Sequence, residues 1–254
     1  MHWLLFELAA PLASFGGTAP GQVRDTELLP SRSAVLGLLA AAQGVERDDV
    51  AAQHALGEGL YIAARVNPGA SLARDYHTAQ APGQAALKGR PCRTRRDELS
   101  VPKDDLNTVL SDRYYYSDYA ATIGVACGSA ERLDALGRAL RRPRFTLYLG
   151  RKSCPPAWPI VPQLLQADTW ALALSGYEER VGTSLSRFDG FGVAGWLRSR
   201  KDSYFHRVDE GINPGELTGA RQLVVRRDRP LDTARRLFGE GRHWRIGPEQ
   251  EARS

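Results

Sequence analysis

The chain has 254 residues, 43% of them hydrophobic and 25% charged, and a formal net charge of +5 at pH 7, which suits one large globular domain. Its three cysteines share no CxxC spacing, which argues against a disulfide framework and against a structural zinc site. No segment approaches the ~20 apolar residues of a membrane helix, and no basic leader with a cleavage site opens the chain, so we expect a cytoplasmic protein.

The first predicted elements are a buried strand and a helix, with a glycine-rich loop between them. Residues 2–8 form a nearly continuous apolar run, and the loop covers 14–21. The helix begins at Ser31 and Gly44 ends it. Its first turn, where unpaired amide groups favour an anion, carries two candidate phosphate-binding residues, Arg32 and Ser33.

The next predicted elements are strands at 60–66, 74–78 and 114–127, a helix after Ser129 and a strand at 145–149. Residues 79–112 interrupt this rhythm with prolines, glycines and mixed charge. A structureless loop of that length is unusual in a compact domain, so we interpret it as a protruding excursion, for which a hairpin is one possible form.

The order strand, helix, strand, strand, helix, strand is typical of a split βαβ unit. We therefore predict an α+β fold, with a ferredoxin-like (RRM-like) βαββαβ domain over residues 1–165 and a protruding insertion at about 80–112. RNA-recognition modules share this topology.

Residues 166–254 are predicted to form a β-rich C-terminal extension. A small helix or strand covers 170–174, and a poorly patterned glycine-rich stretch covers 182–195. Residues 203–208 and 220–226 predict two antiparallel strands around an Asn-Pro-Gly turn, and thus a C-terminal β-hairpin. The arginine-rich tail after Leu231 shows no core pattern.

Positive charge is clustered along the chain. Residues 138–152 hold six cations and no acid, and the segment after residue 220 is rich in arginine. Such clusters favour a polyanionic partner, although a charge run is more often only a solvated face. A further group lies in the excursion and is predicted to contact RNA or a neighbouring subunit: Lys88, Arg90, Arg93, Arg95 and Arg96.

The most informative segment is 144–159, in which a short apolar strand pattern runs into cations and a proline-rich exit. A strand that ends in backbone amides and fixed cations suits a phosphate group. The candidate residues are Gly150, Arg151, Lys152 and Ser153, with Tyr148 as a possible stacking surface. In the tyrosine run 113–119, alternation places Tyr114 and Tyr116 on one face and Tyr115 on the other, so that one face packs in the core and the other can stack a base. Tyr115 is the RNA-binding candidate of this run.

Nucleotide-cofactor motifs are absent from the sequence. Gly150-Arg-Lys-Ser153 lacks the spacing of a P-loop, and the glycines of the 14–21 loop miss the dinucleotide fingerprint. We predict no cofactor and no metal site.

Metal-free RNA cleavage requires a base, an acid and a cation at the phosphate. His77 with Tyr76 is the best catalytic pair in the sequence, and His206 comes next. The alternative, which we favour, is that His77 binds RNA without reacting.

Several segments resemble the CasD family, the type I-E branch of the fifth CRISPR-associated protein family. They are Ala10-Pro-Leu-Ala-Ser-Phe-Gly16, Leu29-Pro-Ser-Arg-Ser-Ala-Val-Leu-Gly-Leu-Leu39 with Arg47-Asp-Asp49, Arg74-Asp-Tyr-His-Thr78, and Arg142-Pro-Arg-Phe-Thr-Leu-Tyr-Leu-Gly-Arg-Lys-Ser-Cys-Pro155. They occur in the family's order, and the last is the most specific.

The resemblance implies a ferredoxin-like body with a thumb-like insertion. It implies a Cascade subunit that grips the five-prime handle of the CRISPR RNA, caps the filament of CasC subunits and contacts CasA, with CasE and CasB as further candidate neighbours and target DNA reached only through the complex. We expect a non-catalytic subunit. The alternatives are an endoribonuclease that uses Tyr76 and His77, and a scaffold that binds only protein.

Overall fold

The computed structural model describes residues 1–17, 21–66, 69–184, 204–217 and 219–248. The strands within these ranges are β1 (His2–Ala13), β2 (Val23–Arg24), β3 (Tyr61–Val66), β4 (Ser71–Pro82), β5 (Leu106–Cys127), β6 (Gln163–Gln166), β7 (Phe205–Asp209), β8 (Ala220–Asp232) and β9 (Leu237–Gly247). The helices are α1 (Arg32–Gln43), α2 (Val50–Gly57), α3 (Gln84–Leu87), α4 (Arg95–Leu99), α5 (Ala130–Arg141) and α6 (Trp170–Ser184), with a 3-10 turn at Lys103–Asp105. No helix of the described residues is long and apolar enough to cross a membrane.

The strands form one large sheet in a mixed α/β architecture. The order is β6–β1–β5–β3–β7–β9–β8 with every neighbouring pair antiparallel, while β2 and β4 pair with the outer half of β5. Because β7 pairs with β3, the C-terminal strands extend the sheet of the N-terminal half. The predicted boundary at residue 165 lies inside β6.

Both faces of the central strands are buried, which explains the nearly unbroken apolar run of β1. Leu4, Phe6 and Leu8 face one core cluster, together with apolar residues of α1 and α5. Trp3 and Leu5 face a second cluster beneath α6. The helix predicted after Ser129 is confirmed as α5, which buries Leu133, Leu136 and Leu140.

A long hairpin extends from the sheet, and we call residues 71–117 the arm. Its strands, β4 and the outer half of β5, pair from Ser71↔Ser117 to Pro82↔Leu106. Most of β4 is exposed. The tip contains α3, the 3-10 turn and α4. Thr94 and Asp97 form a capping box at the start of α4. The excursion predicted at 80–112 corresponds to the outer part of this hairpin.

The strand predicted at 145–149 is wrong. Leu147 and Leu149 are buried and Tyr148 is 38% exposed, an alternation that imitates a strand. The backbone is irregular because the amides of Arg144 and Phe145 donate to the carbonyls of Ala42 and Ala41 at the end of α1. The fourth strand of this region is β6 instead.

The strands predicted near 203–208 and 220–226 exist as β7 and β8, but their predicted pairing with each other is wrong. β9 lies between them and pairs with both. The tail after Leu231 therefore does enter the core, through buried His243 and Ile246. Residues 170–174, predicted as a small helix or strand, form the start of α6. The glycine-rich stretch predicted at 182–195 lies outside the described residues from residue 185 onwards.

Candidate nucleic-acid interface

Residues 149–154, which we call the basic turn, are anchored to the end of β1. The amide of Leu149 donates to the carbonyl of Cys154 (2.7 Å), and the amide of Ser14 donates to the carbonyl of Leu149 (3.1 Å). Gly150 has φ +85°, and a Cβ at this position would lie 1.8 Å from the carbonyl oxygen of Ser14. The sequence therefore needs glycine here to bring the turn this close to β1.

Arg151 is the fixed cation of the basic turn. Its guanidinium lies 4.6 Å from the centre of the Tyr115 ring, and its Nη2 donates to the carbonyl of Arg24 in β2 (3.0 Å). Its Nη1 is buried and has no hydrogen-bond partner among the described residues. The side chain is thus held in place while the protein leaves part of its donor capacity unused.

The neighbours of Arg151 in the turn differ in exposure. Lys152 and Ser153 are exposed, and Lys152 makes no ion pair within the described residues. Cys154 is buried, and burial raises the pKa of its thiol, so the neutral form is favoured. The turn therefore offers cations and a hydroxyl group to a ligand, and its cysteine belongs to the core.

Tyr115 does not offer a free ring face for stacking. It is only 7% exposed, and Arg151 lies over its ring. A base that stacks on Tyr115, as the sequence predicts, would therefore have to displace the guanidinium. Tyr148 and Tyr76 remain accessible, at 38% and 57% exposure.

Tyr76 and His77 occupy β4 in the arm. Cross-strand pairing sets Tyr76 opposite Asp112 and His77 opposite Ser111. His77 is partly exposed, and its Nε2 pairs with the carboxylate of Asp75. Since successive residues of a strand point to opposite faces, Tyr76 and His77 do not converge on one reacting group.

Arg32 and Ser33 are not arranged as a free anion site. Arg32 binds Asp209 through Nη1 (2.6 Å) and the carbonyl of Gly57 through Nη2 (2.9 Å). The hydroxyl group of Ser33 contacts that of Ser31, the N-cap of α1 (3.0 Å). Because the chain's own groups already bind both side chains, a phosphate at this predicted site would have to compete with them.

The anion at the start of α1 is Asp228, 196 residues away in sequence. Its Oδ2 accepts the amide of Arg32 (3.0 Å) and pairs with Arg207 (3.0 Å), which also binds Asp209 (3.1 Å). Asp228 and Arg207 are each 2% exposed. Next to them, burial and the nearby Arg207 lower the pKa of His243 to about 4.

Sequence reasoning missed this ion network. The available signal was an acid flanked by arginines on both sides, in Arg226-Arg-Asp-Arg229. Asp228 sits at a bulge between Arg227 and Arg229, and the bulge turns its side chain inward.

The five predicted cations of the excursion lie at the tip of the arm. Arg90 donates to the carbonyl of Ser100 (2.6 Å), and Arg95 pairs with Glu98 (2.5 Å). Tyr115 lies opposite Ala73, nine positions before Pro82 along β4, which corresponds to about 30 Å of strand. The tip and the basic turn are therefore separate surfaces. The exposed cations at the tip are Lys88, Arg90, Arg93, Arg95 and Arg96.

The described residues contain no group of three or more His, Cys, Asp or Glu side chains that could hold a metal ion. His206, the second catalytic candidate, is 7% exposed and lies 3.3 Å from the indole nitrogen of Trp170. Burial, and to a smaller extent the positive charge of Arg65, lower the pKa of His206 to about 4. This histidine is therefore a neutral core residue near pH 7.

Comparison with known proteins gives CRISPR-associated proteins both for the sequence profile and for the individual relative. The sequence profile described as CRISPR-associated protein (Cas_Cas5) matches residues 3–242. The chain is 30% identical to the Cascade subunit CasD of Escherichia coli (strain K12) over 186 residues, which covers 69% of this chain and 77% of the relative.

Two solved structures share the fold. One comes from a CRISPR RNA-guided surveillance complex, with a TM-score of 0.61 and 24% identity, over 98% of this chain and 91% of the other. The second is a crystal structure of a Cas protein, with a TM-score of 0.57 and 24% identity, over 98% of each chain. With a family match that spans nearly its whole length, the chain belongs to the Cas5 family of CRISPR-associated proteins.

Proposed function

We propose that this protein is a non-catalytic RNA-holding subunit of a type I-E Cascade complex in the cytoplasm, and that it binds the five-prime handle of the CRISPR RNA. The observation that carries the proposal is the basic turn, where Arg151 is fixed beside the exposed Lys152, which makes no ion pair with any residue that the structure describes. The similarity to CasD, a Cascade subunit, supports the assignment to such a complex.

The chemistry of the basic turn suits a phosphate of single-stranded RNA. Arg151 is partly exposed and pairs with no carboxylate among the described residues, so its guanidinium can bind a phosphate through charge-assisted hydrogen bonds, and Lys152 adds a second charge. Gly150 lets the backbone approach closely, and Ser153 adds a hydroxyl group. The exposed Tyr148 and Tyr76 can stack unpaired bases, each contributing roughly 1–3 kcal/mol, and the partly exposed His77 can bind a base edge.

The arm would reach over the RNA towards the next subunit of the filament. Its exposed strands and cationic tip support this role. In this arrangement the protein caps the CasC filament and contacts CasA, with CasE and CasB as further neighbours.

We propose that residues 1–165 form a ferredoxin-like body and that 166–254 form the extension. The support is the order β6–β1–β5–β3, all antiparallel, in which α1 connects β1 to β3 and α5 connects β5 to β6. This is the connectivity expected of a split βαβ unit with one strand inserted between the parallel pair.

The experiment measures binding of the full chain to a synthetic single-stranded handle RNA at several salt concentrations. Arg151→Ala with Lys152→Ala is expected to weaken binding about tenfold or more, and to reduce the log–log salt slope by about 1.4, since each phosphate contact contributes ~0.7. The matched control removes two exposed cations from β8, Arg227→Ala with Arg229→Ala. Equal affinities and slopes for the two double variants would overturn the proposal.

The non-catalytic assignment has its own test. Incubation of the protein with its repeat RNA hairpin in the absence of metal is expected to give no defined product, since Tyr76 and His77 point to opposite faces of β4. A product that disappears in His77→Ala would establish the endoribonuclease instead.

A further inference from the structure

A long arginine side chain binds a phosphate more tightly when its position is fixed beforehand. Free arginine side chains carry up to about 2 kcal/mol of rotamer entropy, which is lost on binding unless the protein has already restricted them. The fixing group must also leave the positive charge in place, because a carboxylate partner would neutralise it. An aromatic ring satisfies both conditions.

Tyr115 is placed to act in this way on Arg151. Its ring lies 4.6 Å from the guanidinium and is otherwise buried in the core cluster that contains Leu149 and Phe15. The ring is therefore held rigidly by the sheet, while the arginine above it retains its full charge. The second anchor, the carbonyl of Arg24, is also uncharged.

The tyrosine hydroxyl group has no part in this contact. It makes no hydrogen bond to any residue that the structure describes, so the ring alone contacts Arg151. Removing the hydroxyl group is therefore expected to preserve the arrangement. Changing the electron distribution of the ring is expected to disturb it.

We propose that Tyr115 is a positioning residue, which holds the Arg151 guanidinium in the orientation that receives an RNA phosphate and contacts no RNA itself. The inference rests on the proposed function, because it assigns a role within the same basic turn. It replaces the base-stacking role that the sequence pattern suggested for this tyrosine.

The test compares two rings of nearly equal shape in the full chain. Tyr115→Phe is expected to keep the affinity for single-stranded handle RNA within about twofold. Replacement by pentafluorophenylalanine, whose ring face no longer attracts a cation, is expected to weaken binding about threefold to tenfold, the range of a partly desolvated cation–π contact. The salt slope should stay unchanged, because the number of charges is the same.

Arg151→Ala distinguishes the possible failures. If it alters neither affinity nor salt slope, the proposed function fails. If it weakens binding while the two rings bind equally, the positioning role fails and the proposed function stands. Pentafluorophenylalanine in the Arg151→Ala background should cause no further loss, and an additive loss would show that Tyr115 contacts the RNA directly.

Discussion

An arginine and a serine lie within three residues of each other both at the start of α1 and in the basic turn, yet the fold uses the two arginines in opposite ways. At α1, Arg32 faces Asp209, and Asp228 accepts the helix amide. At the turn, Arg151 lies on an aromatic ring and a carbonyl oxygen. One arginine is neutralised inside the protein, and the other is fixed without loss of charge.

The difference shows that the type of partner decides whether a cation remains available for a ligand. A carboxylate neutralises the charge of an arginine and ties its side chain to the fold. A ring or a carbonyl group restricts the motion of the side chain but leaves its positive charge for a ligand. Two sites that look alike in sequence can therefore serve stability in one case and binding in the other.

The largest expected effect comes from removing the anion at α1. Asp228→Ala leaves Arg207 with one carboxylate instead of two and the amide of Arg32 without an acceptor. Breaking a buried ion pair in this way is expected to lower the free energy of unfolding by about 3–5 kcal/mol. Urea unfolding at pH 7 measures the loss.

The control for this variant is Asp232→Ala, in the same strand. Asp232 pairs with Arg235 at 3.7 Å near the surface, so its removal is expected to cost about 1 kcal/mol or less. Similar losses for the two variants would contradict a structural role specific to the start of α1.

The secondary-structure elements predicted from sequence are reliable where the pattern is local. The buried run of β1, the amphipathic face of α5 and the caps of α1 depend on neighbouring residues, and the structure confirms these elements. The segment 145–149 shows the limit, since buried leucines alternate there while the backbone amides bind the end of α1.

The same limit applies to the candidate sites. Glycine, arginine and lysine in the basic turn are visible in sequence. The contact of Arg151 with Tyr115 and that of Arg32 with Asp209 join residues far apart in the chain. Only the order of β7, β9 and β8 brings Asp209 and Asp228 to α1, and this order cannot be read from alternation.

A smaller effect is the pH dependence of stability, which arises from His243 next to the ion network at the start of α1. Burial holds the pKa of His243 at about 4, below its ordinary value, so the folded protein keeps this ring neutral while the unfolded chain takes up a proton below about pH 6.5. The free energy of unfolding should therefore fall between pH 6.5 and 4, with His243 contributing on the order of 1–3 kcal/mol.

Urea unfolding at several pH values checks this prediction. His243→Gln should reduce the loss of stability in that window, and part should persist because the pKa of His206 is lowered in the same way. The exposed His54→Gln is the control and should leave the profile unchanged. If His243→Gln left the pH dependence of the free energy of unfolding unaltered, His243 would not be the source of the predicted loss of stability.

The smallest effects come from a matched pair of variants that keep the net charge, Arg32→Lys and Arg151→Lys. Lysine at 32 preserves a cation opposite Asp209 but loses the bond to Gly57, so we expect a loss of stability of about 1 kcal/mol and no change in RNA affinity. Lysine at 151 loses the planar stack on Tyr115, so RNA affinity should fall about threefold while stability changes by less than about 0.5 kcal/mol.

Urea unfolding and handle-RNA binding, measured on both variants, separate the two roles. Because neither variant changes the number of charges, any difference in affinity reflects how the cation is held. If Arg32→Lys weakened RNA binding as much as Arg151→Lys, the start of α1 would have to belong to the RNA surface. Asp209 and Asp228 would then compete with phosphate for that helix end.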